Sequence, residues 1–89
     1  MRAVVSVIGR DQVGIIARVS RVLAEHNVNI LDISQTILEN MFTMIMRVEL
    51  LDENAQVAAL NQALAEAGKD IGLDIRLQRQ DIFDAMHRV

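Results

Sequence analysis

The feature that most constrains this chain is the order in which its hydrophobic periodicity changes along the sequence. Ala3 to Ile8 is a short apolar run rich in Val and bounded by Gly9, the pattern of a strand buried on both faces. From about Gln12 to His26 the spacing becomes helical: Ile15, Ile16, Val19, Val22 and Leu23 recur with Arg18, Arg21 and Glu25 between them. Asp11 is placed to cap that helix by accepting from the free N–H groups of its first turn. Asn27 suits the left-handed residue that closes it. From Val28 to Glu39, Leu31, Ile33 and Ile37 alternate with Asp32, Ser34 and Thr36, as in a half-exposed strand. Asn40 marks a tight turn. Met41 to Leu51 then carries Phe42, Met44, Met46, Val48 and Leu50 on one face, which predicts a hairpin with the strand before it.

Asp52-Glu53-Asn54 opens a second helix with acids near the positive end of its dipole. Val57, Leu60, Leu64 and Ala67 line its apolar side, and Gly68 is the expected left-handed glycine just past its end. Ile71, Leu73, Ile75 and Leu77 alternate with Gly72, Asp74, Arg76 and Gln78 in a last strand. Asp81 is expected to cap a short final helix with Ile82, Phe83 and Met86 as its apolar side. The order β-α-β-β-α-β is that of an α+β ferredoxin-like sandwich, a four-stranded antiparallel sheet with two helices on one face and here a short C-terminal helix. The 89 residues leave room for a single domain, spanning 1–89. A domain this small buries only about 60% of the surface its unfolded chain exposes, so association with a second copy would add stability.

Composition removes several function classes. The net charge is -3 and the nine Lys and Arg are scattered, so the chain lacks the basic footprint that nucleic acid demands. RNA-binding domains of the same topology stack bases on sheet aromatics, and the only aromatics here are Phe42 and Phe83. With no cysteine there is no disulfide, thiolate nucleophile or Cys-ligated metal. No apolar stretch approaches the roughly 20 residues of a membrane span. The apolar start ends at Gly9-Arg10-Asp11 without a small-residue cleavage site. The expectation is a cytoplasmic protein with neither membrane nor direct nucleic-acid partners.

The residues give little support to catalysis. His26 sits at a helix C-terminus, where an imidazolium suits the dipole, and His87 lies near the end of the chain. Asp81, Asp84 and His87 recur at steps of three, but this spacing drifts around a helix and lacks the i, i+4 pairing of helical zinc sites. Helix capping explains the two acids better. Met44 and Met46 fit core positions, where Met fills gaps. A phosphate-hydrolysing enzyme on this fold would need an Arg and an Asn at a phosphate loop. Arg10 is present, but the acidic Asp11 beside it opposes that reading. No catalytic residue, metal ligand or cofactor is expected.

One constellation remains, Gly9-x-Asp11-x-x-Gly14 between the first strand and the first helix. A glycine at its start lets the chain turn. Gly14 in a first helical turn costs about 1 kcal/mol relative to Ala. Two readings explain it: a ligand approaching the electropositive helix tip, or close packing of that helix on a strand.

Together with Glu25-His26-Asn27-Val28-Asn29-Ile30-Leu31-Asp32-Ile33, with Asp32-Ile33-Ser34-Gln35-Thr36 and with the tail Ile82-Phe83-Asp84-Ala85-Met86, this loop resembles an ACT domain. The likeness is to stand-alone single-domain ACT proteins related to the glycine cleavage system transcriptional repressor. The resemblance implies a regulatory domain that binds a small-molecule effector, an amino acid being one candidate, between two copies. The implied contacts are Asp11, Gln12, Val13, Gly14 and Ile15 from one copy and Asn29, Ile30 and Asp32 from the other. The expected partners are therefore a second copy, the effector and a separate regulated protein. The second strand, an edge without lysine or proline, is the expected seam of the homodimer. The alternative is a protein-interaction or dimerisation module that takes no ligand.

Overall fold

The structure is a computed structural model that describes residues 1–51 and 54–86. Its elements are β1 (Arg2–Arg10), α1 (Ile15–Glu25), β2 (Asn29–Leu38), β3 (Met41–Glu49), α2 (Asn54–Ile71), β4 (Asp74–Arg79) and α3 (Gln80–Met86). The strands form one antiparallel sheet in the order β2-β3-β1-β4. This is the ferredoxin-like arrangement that the periodicity predicts. Asp52, Glu53 and His87, read above as helix-start acids and a terminal histidine, lie outside the described residues.

The core lies between the sheet and the α1–α2 layer. Val5 and Val7 of β1, Met44, Met46 and Val48 of β3, Val19 and Leu23 of α1, and Leu60 and Leu64 of α2 are all fully buried there. Burying a side chain of this size contributes about 1.5–3 kcal/mol, so this layer supplies most of the hydrophobic stabilisation. Val4, on the opposite face of β1, is also buried, and α3 packs on β1 and β4 there.

Both long helices end in the same way. Asn27 (φ 57°) follows α1, with Val28 N–H donating to Leu23 O (2.9 Å) and Asn27 N–H to Ala24 O (3.1 Å). Gly72 (φ 71°) follows α2, with Leu73 N–H donating to Gly68 O (2.8 Å) and Gly72 N–H to Lys69 O (3.4 Å). These are Schellman closures. The expected role of Asn27 holds, but that of Gly68 does not, because α2 runs on to Ile71. A Cβ on Gly68 would stand 2.6 Å from Leu73 O and 2.9 Å from a side-chain carbon of Ile75, so this glycine lets α2 lie against β4.

Four further expectations are corrected. Gly9 is not the start of a turn. It continues β1, and a Cβ there would meet the Leu73 side chain. Asp11 is not the cap of α1. That position belongs to Gly14, which is left-handed (φ 93°, ψ 5°), and no side chain caps the helix. The alternation along β2 is broken by a bulge between Ile30 and Asp32, which takes Leu31 out of phase with Ile33 and Ile37. Asp81 lies inside α3, one residue after its start, and accepts a hydrogen bond from Ile82 N–H at 3.0 Å.

Candidate functional site

The segment after β1 is held by two connections. Asp11 N–H donates to Asn40 O at 2.7 Å, tying the loop to the β2–β3 turn. Gln12 Nε2 donates to Ile71 O at 2.9 Å and to Arg10 O at 3.3 Å, tying it to the end of α2. After these anchors the chain turns into α1 at Gly14, which is left-handed. A Cβ there would meet nothing within 4 Å, so the glycine is required by its positive φ and not by close packing. Val13 projects into solvent, and Ile15 turns into the core.

A groove of about 360 Å3 lies between this segment and β2, lined by Asp11, Gln12, Gly14, Ile15, Ile16, Ala17, Gln35, Ile37 and Phe42. It unites an acidic side chain, two amides, an uncapped helix start and an apolar floor. Four of the expected contacts meet here: Asp11, Gln12, Gly14 and Ile15. Gln35 and Ile37 are contributions that the sequence reading missed. The signal was present, since both share strand parity with Ile33, whose cross-strand partner is the core residue Met46.

The remaining expected contacts lie elsewhere in the chain. Asn29 and Ile30 border a second groove of about 520 Å3, formed with Ala17, Ser20, Arg21 and Ala24 of α1. Both grooves run along the same flank of α1 and open toward the free edge of β2. Asp32 points to the opposite face of the sheet, beside Arg47, whose Nε donates to Asp32 Oδ2 at 2.7 Å. That hydrogen bond lowers the Asp32 carboxyl below its ordinary value, opposed by desolvation and assisted by the guanidinium charge. Arg47 is raised in turn, first by the hydrogen bond to Asp32 and then by its charge, with a smaller contribution from Asp84 of α3.

Every residue of β2 except Ile30 is exposed. Ile33 and Ile37 stand on the helix-layer side of the sheet, yet α1 leaves both about half open. Ile16 on the flank of α1 is similarly uncovered. Among the described residues no three His, Cys, Asp or Glu side chains converge closely enough to hold a metal ion, and no helix is long and apolar enough to cross a membrane.

A glycine-containing turn into an uncapped helix, next to an edge strand of a βαββαβ sheet, is the arrangement that the sequence resemblance implies. The family profile of the ACT domain matches residues 2–78. The chain belongs to the ACT domain family. A relative of nearly the same length is a UPF0237 protein of Methanocaldococcus jannaschii, 51% identical over 88 residues, which are 99% of this chain and 98% of the relative. Among solved structures, an ACT domain protein from Streptococcus pneumoniae superposes with a TM-score of 0.82 at 36% identity, covering 94% of each chain. The regulatory subunit of aspartate kinase from Thermus thermophilus, in a ligand-free form, gives a TM-score of 0.67 at 29% identity over 86% of this chain and 50% of that one. A protein assigned as a glycine cleavage system transcriptional repressor gives 0.77 at 22% identity over 89% of this chain and 45% of that one, a likeness of fold.

Proposed function

We propose that this ACT domain is a regulatory module that works as a homodimer and takes a small-molecule effector, an amino acid being the first candidate, at the subunit interface. The observation that carries the reading is the division of the expected contacts between two grooves on one flank of α1. Asp11, Gln12, Gly14 and Ile15 line one, and Asn29 and Ile30 line the other. Both border the unpaired edge of β2. An antiparallel two-fold pairing along that edge sets the turn end of one β2 beside the Asn29 end of the other. The two half-sites, separate in a single chain, then face each other across the seam.

The chemistry of the joined site suits a small zwitterion. Asp11 offers a carboxylate to an ammonium group. The free N–H groups at the start of α1 carry partial positive charge suited to a carboxylate. Ile16, Ile37 and Phe42 supply an apolar wall. Val13 and Asp32 line neither groove, and in this reading they contribute only through the seam. No reaction is assigned to the site; its output is a change in how the dimer engages a separate protein, which requires the effector to bind two states unequally. The aspartate kinase neighbour, a regulatory subunit, supports this type of role.

The test is a thermal-shift screen of the twenty amino acids combined with sedimentation. An effector at 100 times its dissociation constant adds about 2.7 kcal/mol, on the order of 10–20 °C for a domain this size. A dimer that responds to no amino acid favours the ligand-free interaction module, whose support is the uncovered apolar edge itself. A monomer at micromolar concentration rejects the dimeric reading.

A further inference from the structure

The face of the sheet opposite the α1–α2 layer is unevenly covered. α3 packs there on β1 and β4. Along that face of β1, Val4 is buried, Ser6 is partly buried and Ile8 is 46% exposed, so the cover fades with distance from α3. Ile8 neighbours Thr43 across the strands, and one step further toward the β2–β3 turn lie Leu38 and Met41, a cross-strand pair that is 70% and 50% exposed. α3 is open in the same way. Phe83 is partly buried, whereas Ile82 and Met86 stand in solvent. Exposed apolar residues scattered singly need no explanation, but a contiguous group of them marks an interaction surface.

We infer that a second copy of the chain docks on this face, back to back, with the α3 of each copy seated on the turn end of the other's sheet. β1 has nine residues and so spans about 30 Å. A helix with its side chains is about 10 Å across, so α3 leaves room for another helix beside it. A two-fold axis lying between the two sheets, perpendicular to the strands, carries α3 from the covered end of one copy to the bare end of the other. The apolar side chains of each α3 then meet Ile8, Leu38 and Met41 of the opposite sheet. Both exposed groups of both chains are covered in one reciprocal contact, as a two-fold interface requires. Helix on sheet is also the packing that the other face of the sheet already uses.

The charges agree with this occupant. Arg10 lies on the same face, opposite Met41 in the ladder, and among the described residues it pairs with no acid. Asp84 of α3 likewise makes no ion pair there, although its charge reaches Arg47 of β3. The two-fold keeps each strand above its own copy. The partner's Asp84 therefore arrives over the turn end of β3 and β1, where Arg10 stands. Opposite charges meet twice, once on each side of the axis. The contact uses neither groove and leaves the β2 edge free, so it is independent of the seam proposed above.

The test is sedimentation equilibrium of the full chain at high micromolar concentration. It compares the unmodified chain with Ile8→Lys, Ile82→Glu, Arg10→Glu, Asp84→Arg, and the double exchange of Arg10→Glu with Asp84→Arg. Ile8→Lys and Ile82→Glu are each expected to halve the mass of the assembly and to raise the dissociation constant of that step at least tenfold. The single charge reversals weaken the step, and the double exchange restores it. None of these residues lines either groove or belongs to β2. If the β2 seam also forms, the mass falls from tetramer to dimer; if it does not, from dimer to monomer. A monomeric unmodified chain overturns the back-to-back contact, as does an unchanged mass in both Ile8→Lys and Ile82→Glu. A double exchange that associates no better than the single reversals overturns the two-fold. All four positions are exposed, and circular dichroism with thermal melting confirms that each variant is folded.

Discussion

Gln12 Nε2 lies 2.9 Å from the carbonyl oxygen of Ile71, a contact spanning 59 residues that joins the start of the candidate site to the last turn of α2. It satisfies a carbonyl that the end of the helix leaves without an intrahelical partner. Gln12→Leu removes the donor while keeping much of the bulk. It is expected to cost about 0.5–1.5 kcal/mol, several degrees in the melting temperature of a domain this size, whether or not an effector is present. A loss of effector response with unchanged melting would instead make Gln12 purely a ligand contact.

Gly14 offers a sharper separation of conformation from binding. Space for a Cβ is open, but φ is 93°. Gly14→Ala is therefore expected to lose about 1–2 kcal/mol from the left-handed backbone alone. Gly14→Asn should lose less, since Asn tolerates that region. Urea melts of the two variants give the order; equal losses would place the strain elsewhere.

The β2–β3 turn leaves stability unrealised. Glu39 at φ 50° and Asn40 at φ 71° form a two-residue hairpin connection of the type that prefers Asn followed by Gly. Glu39→Asn with Asn40→Gly should raise stability by about 0.5–1 kcal/mol, read as a higher urea midpoint at unchanged slope. The hydrogen bond from Asp11 N–H to Asn40 O uses only backbone and should persist.

Asp32 predicts a pH dependence. Its carboxyl is depressed in the folded chain, chiefly by the Arg47 hydrogen bond. A depressed acid favours the folded state fully above its unfolded value, and that contribution drains away as pH falls through the folded value. The pair is exposed, so the effect is small. Asp32→Asn should flatten the acid side of the stability curve below about pH 4 and leave the neutral side almost unchanged. Carboxyl NMR titration should place Asp32 below an ordinary aspartate, and Arg47→Met should bring it back up.

The sheet and both main helices were legible because period and turn residues agreed with the final packing, from the alternation of Leu73 to Gln78 to the left-handed Asn27, although Ile71 and Gly72, expected in the last strand, instead end and close α2. What escaped depended on neighbours distant in sequence. Gly68 reads as a helix stop until β4 is laid against it, when its missing Cβ proves to be a packing requirement. Leu31 looks like one more beat of an alternation, and only the pairing with β3 exposes the bulge. Beyond the bulge Ile33, Gln35 and Ile37 stay in phase, so their common face was legible in the strand pattern, while the groove that Gln35 and Ile37 line depended on where α1 is laid. The loop contacts Asp11, Gln12, Gly14 and Ile15 were legible as a group because they are consecutive or nearly so, and because the resemblance singled out that loop.

The strand order has a consequence for how the chain is made. β1 leaves the ribosome first, yet its two neighbours are β3 and β4, whose nearest residues follow about thirty and sixty positions later. A nascent chain must keep Val4, Val5 and Val7 from aggregating until the hairpin emerges, and the second flank stays open until synthesis has passed Arg79. Translation that stalls before that point releases a sheet with an unmatched middle rung, a species for chaperones or proteases to clear.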